Sequence, residues 1–280
     1  MFQSPSIALV RRLSPSFAKC VTEVDLASVG PIDMAKAALQ HDAYVEAVTK
    51  CIGTVVEVDH DENHPDCCFI EDTLVVCGDT AVANCLGHES RRGEVHQVAK
   101  ALEKVPAVTR IVRMADHAGA HIDGGDVLTL PGHQFVGLSK RSNAEGVEFL
   151  RKTFEGKVSV HAIDMHKLTG TTLHLKCLIS ALDQETIVVV DNASGRAVFE
   201  EMQAATNNAY KAIFVPDQVA ANVLSFPWAK PQPSVLIQAN FPESEAIFRK
   251  EIPSHWNIMT MDMSEFIKAD GALTCCSVLI

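Results

Sequence analysis

The sequence of this 280-residue chain predicts an α/β protein built from about five repeated units. Amphipathic helices, such as those indicated from Ile32 to Val48 and from Ser90 to Leu102, alternate with short apolar strands. Segments that open beside a polar residue also recur at intervals of roughly 50 residues, which is typical of a propeller or a linear array. These segments are marked by Ile7, Asp66, Asp123, His174, Asn222 and Cys275. A ring of five units closes if the sixth strand pairs with the first.

Composition bounds the protein further. Apolar residues make up 47% of the chain and charged residues 21%, without like-charge runs or Pro- and Gly-rich stretches, so we expect a single domain over residues 1–280. The apolar segment Ile7–Val10 precedes Arg11 and Arg12, the reverse of a secretory signal, and no apolar run reaches the ~20 residues that span a bilayer. A cytoplasmic protein without membrane contact is predicted. The net charge of -11 argues against nucleic acid as a partner and is compatible with a small cationic ligand.

The nine cysteines are predicted to be reduced thiols, because their number is odd, several lie in apolar runs, and no CxxC spacing suggests a metal site. The pair Cys275-Cys276 follows Gly271 at the predicted start of the last strand. A strand end exposes a side chain at the rim of a sheet, where a nearby base or cation can activate a thiol. Since residues alternate across a strand, Cys275 is the candidate nucleophile and Cys276 points away from it.

Acidic residues cluster at two other segment starts. The run from Asp66 to Asp72 is interpreted as a strand that begins and ends in carboxylates, and its adjacent Glu71 and Asp72 repel each other unless a cation lies beside them. A planar guanidinium with five N–H donors suits such a pair. The Asp123-Gly-Gly-Asp126 motif sets two acids around glycines that let the backbone approach a ligand.

Cationic residues and one histidine complete the candidates. Arg91 and Arg141 each lie in a pair of cations at the boundary of an element, and an arginine binds a carboxylate with two parallel hydrogen bonds. A surface ion pair is the alternative for both. Among twelve histidines, His174 alone heads a strongly apolar predicted strand after a Gly-Thr turn, which suits a general base. A purely structural histidine is the alternative.

Six blocks, in order from Ala8 to Ile280, resemble the dimethylarginine dimethylaminohydrolase family of the guanidine-modifying superfamily. They are Asp66-Cys-Cys-Phe-Ile-Glu-Asp72, Ser90-Arg-Arg-Gly-Glu-Val95, Asp123-Gly-Gly-Asp126, Val136-Gly-Leu-Ser-Lys-Arg141, Leu173-His-Leu-Lys176 and Asp270-Gly-Ala-Leu-Thr-Cys-Cys-Ser-Val-Leu-Ile280. The resemblance implies a five-bladed α/β propeller of ββαβ units with the active site in its central channel. It also implies hydrolysis of methylated arginine to citrulline without metal or organic cofactor.

The resemblance implies a role for each matching residue. The catalytic group comprises Cys275 as nucleophile, His174 as acid and base, and Asp123, which orients His174. For substrate binding, the implied residues are Glu71 and Asp72 for the guanidinium, Asp66 for the α-amine, Arg91 and Arg141 for the carboxylate, Leu13 in a lid, and Asp270. The ligand types around Cys275 also make inhibition by zinc an expectation.

Alternatives remain at this point. The chain departs from the family pattern at Ala83–Gly87, where relatives have an Arg-Pro-Gly turn, and at residues 169–172, which are more polar. An arginine deiminase uses the same nucleophilic chemistry but usually carries an additional helical segment. A non-catalytic arginine-binding protein of this fold is the second alternative. Oligomeric state is left open.

Overall fold

A computed structural model describes residues 4–168 and 172–280, so most of the predicted departure at 169–172 lies outside the described residues. The described strands form five three-stranded sheets. In blade order the sheets are β15 (Ser277–Leu279), β1 (Ala8–Arg11) and β2 (Val55–Val58); β3 (Leu74–Cys77), β4 (Thr80–Ala83) and β5 (Arg110–Arg113); β6 (Val127–Leu130), β7 (His133–Leu138) and β8 (Ser159–Asp164); β9 (Ile179–Ala181), β10 (Thr186–Val190) and β11 (Lys211–Val215); and β12 (Leu224–Phe226), β13 (Ser234–Gln238) and β14 (Asn257–Met261).

Every blade has the same connectivity. Its first two strands are antiparallel, and a helix then carries the chain to a third strand that is parallel to the second. The crossover helices are α2 (Met34–Ile52), α3 (Val95–Leu102), α4 (Ala144–Thr153), α6 (Ala193–Thr206) and α7 (Pro242–Glu251). Short helices α1 (Leu26–Val29), α5 (Met165–Leu168) and α8 (Ser264–Ile267) lie in the connections. The predicted ββαβ repeat is confirmed.

The two ends of the chain together close the ring. Strand β15 pairs antiparallel with β1, with Leu9 opposite Val278, and β1 pairs in parallel with β2 on its other side. The first blade therefore combines residues from both ends, as the spacing of the six marks predicted. The resulting five-bladed propeller agrees with the predicted fold class.

Each blade is preceded at the centre of the ring by a short 3₁₀ helix. These segments are Ile70–Thr73, Gly124–Asp126, Leu175–Cys177, Val219–Ala221 and Thr274–Cys276. The sequence analysis placed Glu71, Asp72, Cys275 and Cys276 in strands, and this was wrong. A single 3₁₀ turn of three or four residues is too short for any periodicity to reveal it. Several of these segments contact one another and so form the centre of the molecule.

Side-chain caps begin the main crossover helices. Asp33 accepts hydrogen bonds from two backbone N–H groups of α2, and Asn143 and Asn192 each accept one at the start of α4 and α6. The predicted start of a helix at Ser90 is wrong, because residues Glu89–Glu94 form a 3₁₀ helix and α3 begins at Val95. The Glu94 side chain binds Arg91. Within the described ranges, no helix is both long and apolar enough to cross a bilayer.

Candidate active site

The central 3₁₀ segments separate two cavities of very different size. The smaller, which we call the front pocket, has a volume of about 20 Å³. The larger, the rear cavity, has a volume of about 730 Å³. The front pocket brings together seven of the predicted site residues. They are Asp66, Asp72, Arg91, Arg141, His174, Asp270 and Cys275.

Cys275 and Cys276 lie side by side in different surroundings. Cys275 is partly exposed to the front pocket, and its Sγ accepts a hydrogen bond from the backbone N–H of Ala272 at 3.4 Å. Burial raises the pKa of the Cys275 thiol well above its usual range, and the carboxylates of Glu71 and Asp72 raise it further. Cys276 is completely buried in an apolar cluster. The front pocket therefore contacts one thiol of the pair, and that thiol is protonated at neutral pH.

His174 and Asp123 form a buried pair. The ring Nε2 lies 3.1 Å from Asp123 Oδ2, and the backbone N–H of Gly87 donates to Asp123 Oδ1 at 2.9 Å. Burial opposes a charge on His174, but the carboxylate of Asp72, the hydrogen bond to Asp123 and the carboxylate of Asp126 together raise its pKa to about 9. His174 is therefore an imidazolium at neutral pH, and Nε2 is a donor to Asp123. The departure at Ala83–Gly87 thus contacts the partner of His174.

Close packing around His174 requires glycine at position 125. A Cβ there would lie 2.7 Å from His174 Nδ1 and 3.0 Å from Asp72 Oδ1. The N–H of Gly125 donates to that same carboxylate oxygen at 2.9 Å. Burial disfavours ionisation of Asp72, but His174, Arg91 and this N–H more than offset it and lower the pKa of Asp72 to about 2. The paired glycines of the Asp123-Gly-Gly-Asp126 motif therefore serve close approach, as one of the sequence interpretations expected.

The two predicted carboxylate-binding arginines differ in their partners. Arg91 is 5% exposed, and its guanidinium donates to both oxygens of Glu94, at 2.9 and 3.0 Å, and to Asp72 Oδ2 at 2.8 Å. Arg141 also lines the front pocket, but its Nη1 is buried and has no hydrogen-bond partner among the described residues. A buried guanidinium N–H without an acceptor is costly, so Arg141 is the cation with capacity for an added anion.

The acidic side of the front pocket is covered by the segment that follows β1. Backbone N–H of Val21 donates to both oxygens of Asp66, at 3.1 and 3.2 Å. Backbone N–H of Glu23 donates to Asp270 Oδ2 at 2.6 Å, and the Thr22 hydroxyl donates to the same atom at 3.0 Å. We call residues 12–24 the covering segment. Val21 of this segment lines the pocket, and the lid that the family resemblance implied at Leu13 stays a prediction.

Three predicted residues, Asp123, Glu71 and Leu13, do not line the front pocket, and Asp123 reaches it only through His174. Glu71 borders the rear cavity, where its Oε1 lies 2.6 Å from Lys176 Nζ and its Oε2 accepts from the Thr274 hydroxyl at 2.8 Å. Leu13 belongs to the covering segment, is half-buried and packs against the apolar cluster that contains Phe17 and Phe69. Their roles toward a substrate stay predictions.

Sequence reasoning missed several residues that hold this centre together. Asn222 donates to the Thr274 hydroxyl at 3.0 Å and accepts from the Thr274 N–H at 2.9 Å, which fixes the turn that carries Cys275. Lys176 lies two positions after His174 and neutralises Glu71. Asn222 had been marked only as the start of a unit, and its polarity at a predicted strand start was the one available signal.

A metal is not needed to explain the acidic cluster. Among the described residues, Asp72, Asp123 and His174 are the one set of three potential ligands whose ligand atoms lie within 4.8 Å of one another. Both carboxylates already accept N–H donors of the protein, from Arg91 and Gly125 and from Gly87. Hydrogen bonding accounts for the cluster, so we assign no metal to it. The predicted inhibitory zinc at Cys275 stays a prediction.

A ring of five ββαβ blades, with a cysteine, a histidine and carboxylates at its centre, defines the class of hydrolases that act on guanidino C–N bonds. Comparison with known proteins agrees. The dimethylarginine dimethylaminohydrolase of Streptomyces coelicolor is 32% identical over 273 residues, covering 97% of this chain and 95% of that protein. A Cys-to-Ser mutant of the Pseudomonas aeruginosa enzyme, solved with citrulline, superimposes with a TM-score of 0.81 at 25% identity, over 99% of this chain and 100% of that chain.

The chain therefore belongs to the dimethylarginine dimethylaminohydrolase family. Residues 38–259 also match the family model described as RNA-editing substrate-binding complex 5 protein. The fold extends beyond these proteins, because the N-terminal domain of the cyanobacterial arginine dihydrolase ArgZ superimposes with a TM-score of 0.76 at 18% identity, over 98% of this chain and 97% of that chain. The predicted family and the predicted hydrolase class are confirmed.

Proposed function

We propose that this protein hydrolyses asymmetric dimethylarginine and monomethylarginine to citrulline and the corresponding methylamine, as a single catalytic domain over residues 1–280. The observation that carries the proposal is the unpartnered Nη1 of Arg141 in a pocket that also contains Cys275, His174 and the acids Asp66 and Asp270. A free amino acid offers a carboxylate and an ammonium group, and this pocket offers partners for both. Family membership supports a cationic guanidinium at the other end of the substrate.

In the proposal, Arg141 binds the substrate carboxylate, and Asp66 and Asp270 receive the α-ammonium. Both acids now accept N–H groups of the covering segment. A space of about 20 Å³ holds little more than one water molecule. Substrate entry therefore requires displacement of the covering segment, which contains the predicted lid residue Leu13. An ammonium group then replaces the backbone donors at these carboxylates.

The guanidinium in turn activates the nucleophile. Burial, and after it the carboxylates of Glu71 and Asp72, hold the pKa of Cys275 high in the free protein, so the thiol is a poor nucleophile before substrate binds. A guanidinium in the front pocket lies against Asp72, offsets its charge and lowers the thiol pKa. The substrate cation thus promotes formation of the Cys275 thiolate, and the thiol proton leaves to solvent or to a neighbouring base.

The proposed chemistry has two steps. The Cys275 thiolate attacks the guanidinium carbon, the C–N bond to dimethylamine breaks, and His174 donates a proton to the departing nitrogen, which leaves a covalent thiouronium. Neutral His174 then takes a proton from water, whose oxygen attacks the same carbon. The C–S bond breaks to release the thiolate, and the remaining hydroxyl proton leaves to solvent, which gives citrulline. Asp123 keeps the ring of His174 oriented in both steps. These two reaction steps need no metal or organic cofactor.

Steady-state kinetics with asymmetric dimethylarginine, monomethylarginine and arginine test the proposal. We expect kcat/KM to be higher for both methylated substrates than for arginine, with citrulline and methylamine released in equal amounts. Cys275→Ser is the negative control for contaminating activity. A kcat/KM for arginine equal to or above that for asymmetric dimethylarginine would indicate a deiminase, and binding of all three without citrulline formation would indicate a non-catalytic arginine-binding protein.

A further inference from the structure

We propose that Asp126 is a positioning residue that, through Ser139 and Ser142, fixes the His174–Asp123 pair and Arg141 relative to one another. The inference rests on the proposed function, since it concerns how the reacting and substrate-binding groups of that site are aligned. Asp126 does not line the front pocket. Its effect on the reaction therefore passes through the residues that it holds and through its charge, which raises the pKa of His174.

The Asp126 carboxylate is fully buried and accepts three hydrogen bonds. Its Oδ1 accepts the backbone N–H of Leu175 at 2.9 Å, directly after His174. Its Oδ2 accepts the hydroxyl of Ser139 at 2.6 Å and that of Ser142 at 2.7 Å. Short O–H···O⁻ bonds of this kind are among the stronger hydrogen bonds in proteins.

The two serines extend this network to further residues of the site. The Ser142 hydroxyl accepts the backbone N–H of Asp123 at 3.0 Å. The Ser139 hydroxyl accepts the backbone N–H of Arg141, also at 3.0 Å. The Asp126 carboxylate thus connects the backbone next to His174 with the backbone at Asp123 and at Arg141. These residues lie on three separate segments of the chain, which nothing else described joins at a single atom group.

The burial of Asp126 is energetically unfavourable. Burial raises the pKa of Asp126 to about 6, although His174 and the two serine hydroxyls act in the opposite direction. No lysine or arginine among the described residues forms an ion pair with it. Gly137 leaves the space that the carboxylate needs, because a Cβ there would lie 3.0 Å from Asp126 Oδ1. A buried carboxylate held by hydroxyl and N–H donors is suited to a fixed geometry rather than to stability.

The two branches predict different kinetic effects. Ser142→Ala removes the acceptor for the Asp123 N–H. It should lower kcat for asymmetric dimethylarginine about 10-fold with little change in KM, which corresponds to a rise of ~1.4 kcal/mol in the activation free energy. Ser139→Ala loosens the backbone at Arg141 and should raise KM about 10-fold with little change in kcat. Ser244→Ala is the matched control, because Ser244 is also fully buried and its hydroxyl donates to Asp217 Oδ2 at 2.7 Å.

A second measurement does not depend on turnover. The charged groups that act on the His174 ring are Asp72, Asp123 and Asp126. NMR titration of the ring should show a lower His174 pKa in Asp126→Asn and an altered one in Ser142→Ala, with wild-type behaviour in Ser244→Ala. Kinetic changes in both serine variants no larger than in Ser244→Ala, or an unchanged His174 titration in Asp126→Asn, would overturn the inference.

The two proposals can fail separately. If wild-type protein forms no citrulline from any of the three substrates while the His174 titration shifts as expected, the proposed function is wrong and the positioning role stands. If wild-type protein is active and the kinetic split is absent, the positioning role is wrong and the proposed function stands. The serine variants keep the test decisive if Asp126→Asn does not fold.

Discussion

The front pocket and the rear cavity share one wall but differ in nearly every other respect. The front pocket, of about 20 Å³, is lined by arginines, carboxylates, a histidine and a thiol. The rear cavity, of about 730 Å³, is lined by apolar strand residues together with polar and charged turn residues such as Asp79, Lys157 and Asp183. The reactive groups converge on the smaller space. That space is small because their side chains and the covering segment fill most of it. Cavity volume is therefore a poor guide to chemistry in this protein, and convergence of ionisable groups is a better one.

The wall itself explains how neighbours in sequence serve different cavities. On the segment Ile70–Thr73, Glu71 borders the rear cavity and Asp72 the front pocket, and on Thr274–Cys276 the same holds for Thr274 and Cys275. A 3₁₀ helix turns 120° per residue, so consecutive side chains leave in clearly different directions. The 2.6 Å contact between Glu71 and Lys176 neutralises the rear side of the wall.

The largest expected effect separates Cys275 from Cys276. Cys275→Ser should lower kcat/KM for asymmetric dimethylarginine by on the order of 10⁴-fold, because the serine hydroxyl is a much weaker nucleophile. Cys276→Ser places a hydroxyl in an apolar cluster and should lower the melting temperature while retaining most of the activity. Kinetics and thermal unfolding of both variants measure this contrast. The reverse ranking would assign the nucleophile to Cys276.

The two arginines of the front pocket should respond differently to removal. Arg91→Ala leaves Asp72 and Glu94 buried without their cation and should lower the free energy of unfolding by about 3–5 kcal/mol. Arg141→Ala should instead raise KM about 10-fold with a small change in stability, since its Nη1 has no described partner to lose. Denaturant unfolding and substrate titration provide the two readouts. Equal stability losses in both variants would contradict the distinction between them.

The charge on His174, which lines the front pocket, predicts that the stability of the protein depends on pH. Folding raises the pKa of His174 from 6.5 to about 9. Its contribution is fully present below pH 6.5 and is lost as the pH rises through 9, because only the native state keeps the proton in between. The free energy of unfolding should fall by about 3 kcal/mol over this window. Urea unfolding at several pH values measures it, and a slope that persists in His174→Gln would assign the effect to other groups.

The arrangement of the blades could be predicted from sequence because it follows from repetition. Helix and strand patterns recur at similar spacing, and the pairing of β1 with β15 follows from closing five units into a ring. The placement of Cys275, His174 and Asp72 around one pocket was implied by the resemblance of short, ordered motifs to a known family. Neither inference required knowledge of a contact between particular distant side chains.

The remaining features depend on such contacts. Lys176 and Glu71 are 105 positions apart and Thr274 and Glu71 are 203 apart, so nothing local reveals that these residues form the wall. The ion pair that occupies Arg91 is a local contact, because its partner Glu94 lies only three positions away. The motif around Arg91 is predicted as the first turn of a helix that starts at Ser90, and that prediction does not reveal the ion pair. The 3₁₀ segments could not be predicted for a third reason, since one short turn carries no periodic signal.

The smallest expected effect concerns the rear cavity. Ala181, in β9, lines this cavity, whose volume of about 730 Å³ accommodates a larger side chain without displacing neighbours. Ala181→Leu should therefore change kcat and KM less than ~2-fold and stability by within ~0.5 kcal/mol. Ala269→Leu is the matched substitution in the front pocket, where residue 269 is 3% exposed and the space is about 20 Å³, so it should weaken substrate binding severely. A change in kcat above ~5-fold in Ala181→Leu, measured beside an unchanged melting temperature, would show that the wall transmits changes in the rear cavity to Cys275 and that the two cavities act as one site.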